Sequence, residues 1–145
     1  MDISKAIVFF YGSFMSPKVL RDQGLSREVG AMEVATLEGF DVVLSPNATL
    51  VPSTKGVVYG VLAELTVDEI DLLYSRGWLS DYKPISINAK KKDGQEVTAS
   101  CYVAPLRQNA SPKPDYVSLL VETAKSYCFP SWYVERLRKA GLNND

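Results

Sequence analysis

Ala6-Ile7-Val8-Phe9-Phe10-Tyr11-Gly12-Ser13-Phe14-Met15 changes character at its glycine. The first six residues are an unbroken apolar, β-rich run, the pattern of a strand buried on both faces, so a central strand is expected there. Ser16-Pro17 follows with an N-cap and a proline at the first helical position, which predicts a short helix through Val19 and Leu20 to about Gln23, stopped by Gly24. The turn between them gathers flexible backbone, free N–H groups and a hydroxyl at one sheet edge, where an anion such as a carboxylate could sit. A plain structural turn is the commoner use of a Gly-Ser step.

Outward from this stretch, Ala31 to Val51 reads as β-rich, with strands at Met32–Leu37 and Asp41–Leu44 separated by Glu38-Gly39 and punctuation at Pro46-Asn47 and Pro52. Val57 to Leu62 is a further strand, and its internal Gly60 signals a bulge, a bend or a close backbone approach. Thr66-Val67-Asp68-Glu69 has capping-box spacing and predicts a helix to about Tyr74, with Gly77 as terminator. Tyr82–Ala89 and Glu96–Val103 flank Asp93-Gly94 as a hairpin, which makes Lys90, Lys91 and Lys92 a solvated loop tip or, less often, an anion contact. Tyr116, Leu119, Leu120, Thr123, Ala124 and Tyr127 keep helical spacing and lay one stripe against a sheet. Pro130-Ser131 opens a last helix through Leu137. Strands first and helices late imply an α+β fold, and no linker is long enough to divide residues 1–145 into more than one domain.

Composition removes several functions. With 145 residues, 46% of them hydrophobic and 23% charged, the chain is an ordinary globular one. Sixteen basic against seventeen acidic side chains leave a net charge of -1, no footprint for a nucleic-acid backbone. Histidine is absent, so Ser-His and Cys-His dyads and imidazole-ligated metals are excluded, and no metal or other cofactor is expected. Cys101 and Cys128 lack metal or redox spacing and are expected to be small core residues in a reducing, cytoplasmic setting. No apolar run approaches the ~20 residues of a membrane span, and the amino terminus lacks the pattern of a signal peptide.

The run Phe10-Tyr11-Gly12-Ser13-Phe14-Met15 resembles the YGSN-type loop of the γ-glutamyl cyclotransferase family, which includes AIG2-like proteins. Gly56 to Leu62 resembles that family's glycine-bearing strand, Ile70–Leu73 its following helix, Tyr82 a tyrosine at the next strand, Ser111 to Tyr116 its proline-rich loop, and Phe129-Pro130-Ser131-Trp132-Tyr133 its terminal helix motif. The resemblance runs in order over nearly the whole chain. It implies a small mixed β-barrel with surrounding helices and a pocket for a γ-glutamyl or other amino-acid-like small molecule, lined by Tyr11, Gly12, Ser13, Phe14, Met15, Tyr82 and Tyr116.

The reaction it implies is intramolecular: the α-amine of a γ-glutamyl compound attacks its own γ-carbonyl and releases 5-oxoproline and an amine. A glutamate is the expected proton shuttle, since a carboxylate must take a proton from the ammonium and return one to the leaving amine. In the family it precedes a glycine in a pattern like L-D-x-x-E-G, whereas this chain reads Leu72-Leu73-Tyr74-Ser75-Arg76-Gly77. Arg76 therefore occupies the shuttle position, and a guanidinium does not accept a proton at neutral pH. Arg76 either adds an anion contact to the pocket or points to solvent and pairs with Asp81. Asp81 is the substitute carboxylate if the shuttle has moved, and Asp71 is expected to be an exposed helix residue. Phe14 stands where the family usually has asparagine, which points to changed ligand preference. Three readings stay open: a divergent binder without the acid/base, an active cyclotransferase with a relocated carboxylate, and a non-catalytic interaction module.

Overall fold

The computed structural model describes residues 5–25, 32–44, 47–74, 81–105 and 112–140. Among the described residues five strands and four helices follow one another as β1 (Lys5–Phe10), α1 (Pro17–Asp22), β2 (Glu33–Leu44), β3 (Ala48–Thr66), α2 (Val67–Tyr74), β4 (Lys83–Lys91), β5 (Glu96–Val103), α3 (Pro114–Ser126) and α4 (Ser131–Ala140), with a 3-10 turn at Ser13–Met15 between β1 and α1. The strands pair in the circuit β1-β3-β2-β4-β5 and close into a small barrel. Most seams are antiparallel, and β5 returns to β1 in parallel, with Val8 opposite Ser100. The α+β reading and the barrel implied by the resemblance both hold.

Two junctions follow the local chemistry of the sequence closely. Ser16 caps α1 by accepting the Val19 amide, Pro17 opens the helix, and Gly24 takes φ +106° after it. At α2 the Glu69 carboxylate accepts the Thr66 amide at 2.8 Å and the Thr66 hydroxyl accepts the Glu69 amide at 3.2 Å, a complete capping box.

The β-rich region departs from its sequence reading. β2 is one strand of 12 residues rather than two: the register shifts between Glu38 and Phe40, where Gly39 at φ +90° stands against the unpaired residues 53–56 of β3, and the ladder resumes beyond. β3 spans 19 residues and includes Pro52, which pairs opposite Phe40 where β2 and β3 pair only with each other as a two-stranded ribbon, just before residues 53–56 drop out of the ladder. At Gly60 the close approach is realised: a Cβ there would stand 2.3 Å from the Phe10 carbonyl oxygen and 2.7 Å from the Phe9 ring. Lys90 and Lys91 belong to β4, and only Lys92 enters the turn, which Gly94 at φ +89° and the Asp93 carboxylate close.

The core fills the barrel and the space under α3 and α4. Val8, Leu65, Leu73, Leu120, Leu137 and Tyr133 are all within it, each large side chain of this kind contributing roughly 1.5–3 kcal/mol by burial. Arg136 on α4 pairs with Asp41 on β2 at 2.9 Å and ties the last helix to the ribbon. Cys101 is fully buried as expected, whereas Cys128 is exposed: it sits just after α3 at φ +59°, and that backbone turns its side chain out of the core. None of the described helices is long and apolar enough to cross a membrane.

Candidate functional site

Gly12 brings the backbone close to two other elements. A Cβ there would lie 3.2 Å from the Ala48 side chain and 3.4 Å from the Tyr116 hydroxyl, so the turn after β1 seats closely against β3 and α3, and a side chain at this position would press on Ala48. The cavity beside it is formed by the Gly12-Ser13-Phe14 turn, by Asn47 and Ala48 at the start of β3, and by four tyrosines: Tyr74 from α2, Tyr82 ahead of β4, Tyr102 from β5 and Tyr116 from α3. Phe9 and Phe10 of β1 and the following Tyr11 close its floor, and it encloses about 380 Å³ including its open mouth.

Hydroxyls hold this arrangement. The Ala48 amide donates to Tyr116 at 2.9 Å, while the Tyr82 hydroxyl donates to the Ala48 carbonyl at 2.6 Å, so both polar groups of Ala48 end on tyrosines. Tyr11 donates to the Tyr102 carbonyl at 2.7 Å. Burial pushes the Tyr116 phenol up, and the Ala48 amide and the neighbouring polar groups of Ser13 oppose that push. Burial raises Tyr11 and Tyr74 far above the ordinary tyrosine value, with Cys101 and the neighbouring tyrosines adding to it. Behind them burial pushes the Cys101 thiol up to about 12. All of these groups are therefore neutral at pH 7: they give and accept hydrogen bonds, but none is a base.

One wall is apolar and aromatic. Phe14 meets Phe10 edge-on at 5.7 Å and Tyr74 at 5.5 Å, and Tyr74 stacks on Tyr102 with centroids 4.0 Å apart and rings 11° from parallel. Among the described residues no charged side chain lines the cavity.

The structure gathers Tyr11, Gly12, Ser13, Phe14, Tyr82 and Tyr116 around one space. Met15 is fully buried in the core instead, and its carbonyl accepts the Tyr127 hydroxyl at 2.8 Å. Arg76 lies outside the described residues, as do Gly77 and Trp78. Asp81 is exposed and is not among the described lining residues, although it directly precedes Tyr82. Asp71 is exposed on α2. Tyr74, Tyr102, Asn47 and Ala48 were not expected at the site. Tyr74 is adjacent to the helix-end pattern, a local signal that could have found it, but Tyr102 and Ala48 arrive only through strand pairing. The described residues hold no cluster of acidic and thiol groups able to bind a metal.

Comparison with solved structures places the fold. A γ-glutamyl cyclotransferase structure superposes with TM-score 0.78 at 22% identity, over 93% of this chain and 87% of that one. The uncharacterised protein loc79017 from Homo sapiens gives 0.77 at 23% identity, over 92% and 86%. YkqA from Bacillus subtilis gives 0.81 at 18% identity, over 97% of this chain but only 55% of YkqA. No curated protein matches the sequence. The model of the AIG2-like family matches residues 57–137, more than half of the chain, and with the γ-glutamyl cyclotransferase-like fold established the chain belongs to the AIG2-like family.

Proposed function

We propose that this protein is a divergent γ-glutamyl cyclotransferase-like binder: it holds a γ-glutamyl or other amino-acid-like small molecule at the Gly12-Ser13 turn and lacks the family's glutamate acid/base. One observation carries the reading: the cavity is lined by hydroxyls, amides and aromatic rings, with no carboxylate among its described lining residues. The resemblance puts Arg76 at the position of the missing glutamate.

The chemistry follows from the protonation states. A ligand carboxylate would accept from the Ser13 amide and hydroxyl and from Tyr116, groups already converging on one point. The ligand's α-ammonium must lose a proton before its nitrogen can attack the γ-carbonyl. Tyr11, Tyr74 and Tyr116 are held as phenols by burial and cannot take that proton at neutral pH. The ligand is thus bound without being cyclised. Phe14 and the Tyr74–Tyr102 stack favour an apolar group on the distal side of the ligand. The single core cluster supports one domain, and two free cysteines favour a reducing, cytoplasmic setting.

A second reading keeps the reaction and moves the shuttle to Asp81, favoured by its place next to the cavity-lining Tyr82. The two separate when the native protein and Arg76→Glu are incubated with γ-glutamyl dipeptides and amines, with 5-oxoproline followed by mass spectrometry and the melting temperature recorded alongside. We expect a ligand-dependent rise in melting temperature without 5-oxoproline from the native chain, and 5-oxoproline from Arg76→Glu. Release by the native chain that Asp81→Ala abolishes would replace the first reading by the second. Failure of every glutamyl ligand to raise the melting temperature would leave a non-catalytic interaction module.

A further inference from the structure

We propose a second ligand site, a groove on the outer face of the barrel that binds a small organic anion with a planar ring. It lies between the β3–β2–β4 face and the connection from α3 to α4, far along the chain from the Gly12 turn and sharing no lining residue with the first cavity.

Strand register sets its floor. Thr36 of β2 is opposite Tyr59 of β3 on one side and Lys90 of β4 on the other, so a ring, a hydroxyl and an ammonium stand in one row across three strands. Their chain neighbours Ala35, Val58 and Ala89 face the core, which puts this row on the outside. With strands about 5 Å apart, Tyr59 and Lys90 are separated by roughly 10 Å, the reach of one aromatic ring with an acidic substituent.

The walls differ as such a ligand requires. On one side Tyr127 and Phe129 stack at 5.9 Å and Phe129 packs on Tyr59 at 5.5 Å. The Tyr127 ring is fixed by its hydroxyl bond to the Met15 carbonyl, so this wall is formed before any ligand arrives. On the other side stand Lys90, Lys91 and Lys92. Lys91 pairs with Glu33 at 3.2 Å and Glu96 of β5 is the cross-strand neighbour of Lys90, but neither Lys90 nor Lys92 forms an ion pair with a described residue, and no described acidic side chain lines the groove. The lining itself carries three lysines and no described acid beside an apolar surface, which is complementary to an anion rather than to a neutral ring. At about 610 Å³ including its mouth the groove has the size of a small-molecule site.

Cys128 lines the groove and is exposed, while the only other cysteine, Cys101, is fully buried, so modification by N-ethylmaleimide reports on the groove alone. The test measures the rate of Cys128 modification with 2-naphthoate, uncharged 2-naphthalenemethanol, acetate or a hexaglutamate peptide present. We expect saturable slowing of at least threefold by 2-naphthoate, little by the alcohol or acetate, and loss of the protection in Lys90→Gln/Lys92→Gln. Both lysines are at the surface, so the double variant should fold as the parent does. Equal protection by the uncharged ring, no protection by 2-naphthoate, or protection that survives the double variant would each overturn the proposal. Protection by hexaglutamate but not 2-naphthoate would overturn it in favour of an acidic protein partner, and protection that rises with protein concentration alone in favour of a second copy of the chain.

Discussion

The cavity at the Gly12 turn and the groove under the α3–α4 connection are both walled by tyrosine and phenylalanine, yet their polar groups are spent in opposite ways. In the cavity, the hydroxyls of Tyr11, Tyr82 and Tyr116 end on backbone groups, and the described lining is uncharged. The groove keeps two lysines without a described ion pair at its rim. Aromatic content therefore says little about what a site on this barrel binds. The hydrogen-bond and charge partners around the rings decide it, and those are fixed by strand register. Tyr59 and Gly60 show how closely the two sites are joined, since adjacent residues of β3 serve opposite faces: Tyr59 floors the groove, and Gly60 lets Phe9 and Phe10 pass beneath the cavity.

Gly60→Ala is the substitution that should break both sites together. A methyl group 2.3 Å from the Phe10 carbonyl cannot be absorbed by a rotamer change, because the obstacle is backbone. We expect about 3 kcal/mol or more of destabilisation, read by chemical denaturation, with ligand responses lost at both places. A variant that lost the cavity and retained the groove would mean that the faces of β3 are less coupled than the contact implies.

Alkaline pH should act through the cavity and, beneath the groove wall, through Tyr133, which burial also raises. Tyr11, Tyr74, Tyr116 and Cys101 are all raised in the folded state by burial, so the unfolded chain loses these protons first. Their contribution is complete below the unfolded values of about 8.5–10 and is lost as pH rises through that range toward the folded values. With no histidine in the chain, none titrates near neutrality. Unfolding free energy should therefore decline from about pH 9 upward. Tyr11→Phe should flatten that decline more than Tyr127→Phe, because Tyr127 on the groove side is raised but far less enclosed. Equal slopes would show that the alkaline limb belongs to the whole molecule and not to the cavity.

Tyr116→Phe sharpens the contrast at one atom. It removes the acceptor of the Ala48 amide and a partner of Ser13 while leaving the ring, so a loss of about 1–2 kcal/mol is expected. The melting response to glutamyl ligands should fall with it, and the Cys128 protection assay should not change.

What could be read from the sequence divides by range. Ser16 and the Thr66–Glu69 pair act over three residues, so local residue spacing located both helix starts. The Gly12-Ser13 turn was legible for the same reason, and so was its likeness to a known loop. Gly39 and Pro52 misled because they read as strand ends, whereas the two strands only shift register there, dropping residues 53–56 from the ladder before pairing resumes. Tyr102 and Ala48 enter the cavity through barrel closure, which no local pattern encodes. The groove was hidden likewise: a lysine run beside Asp-Gly reads as a loop tip until the register of β4 puts Lys90 in line with Thr36 and Tyr59.

Cys128 makes the smallest and most discriminating test of the comparison. After α3 the Cys128 amide bonds the Lys125 carbonyl at 3.0 Å and the Phe129 amide bonds Ala124 at 3.1 Å, a helix ending in which the residue at positive φ is ordinarily glycine. A side chain at φ +59° costs about 1 kcal/mol relative to glycine. Cys128→Gly should thus raise stability by about 1 kcal/mol, measured as a shift in denaturation midpoint at constant slope. If it does, the chain carries a residue of strained backbone at the mouth of the basic groove that folding does not require, whereas the glycine beneath the cavity, Gly60, leaves no room for a side chain beside the Phe10 carbonyl. Should the substitution leave stability unchanged or lower it, the Cys128 side chain must make contacts with the groove wall that offset its backbone strain, and the residue would then belong to the fold rather than to the site.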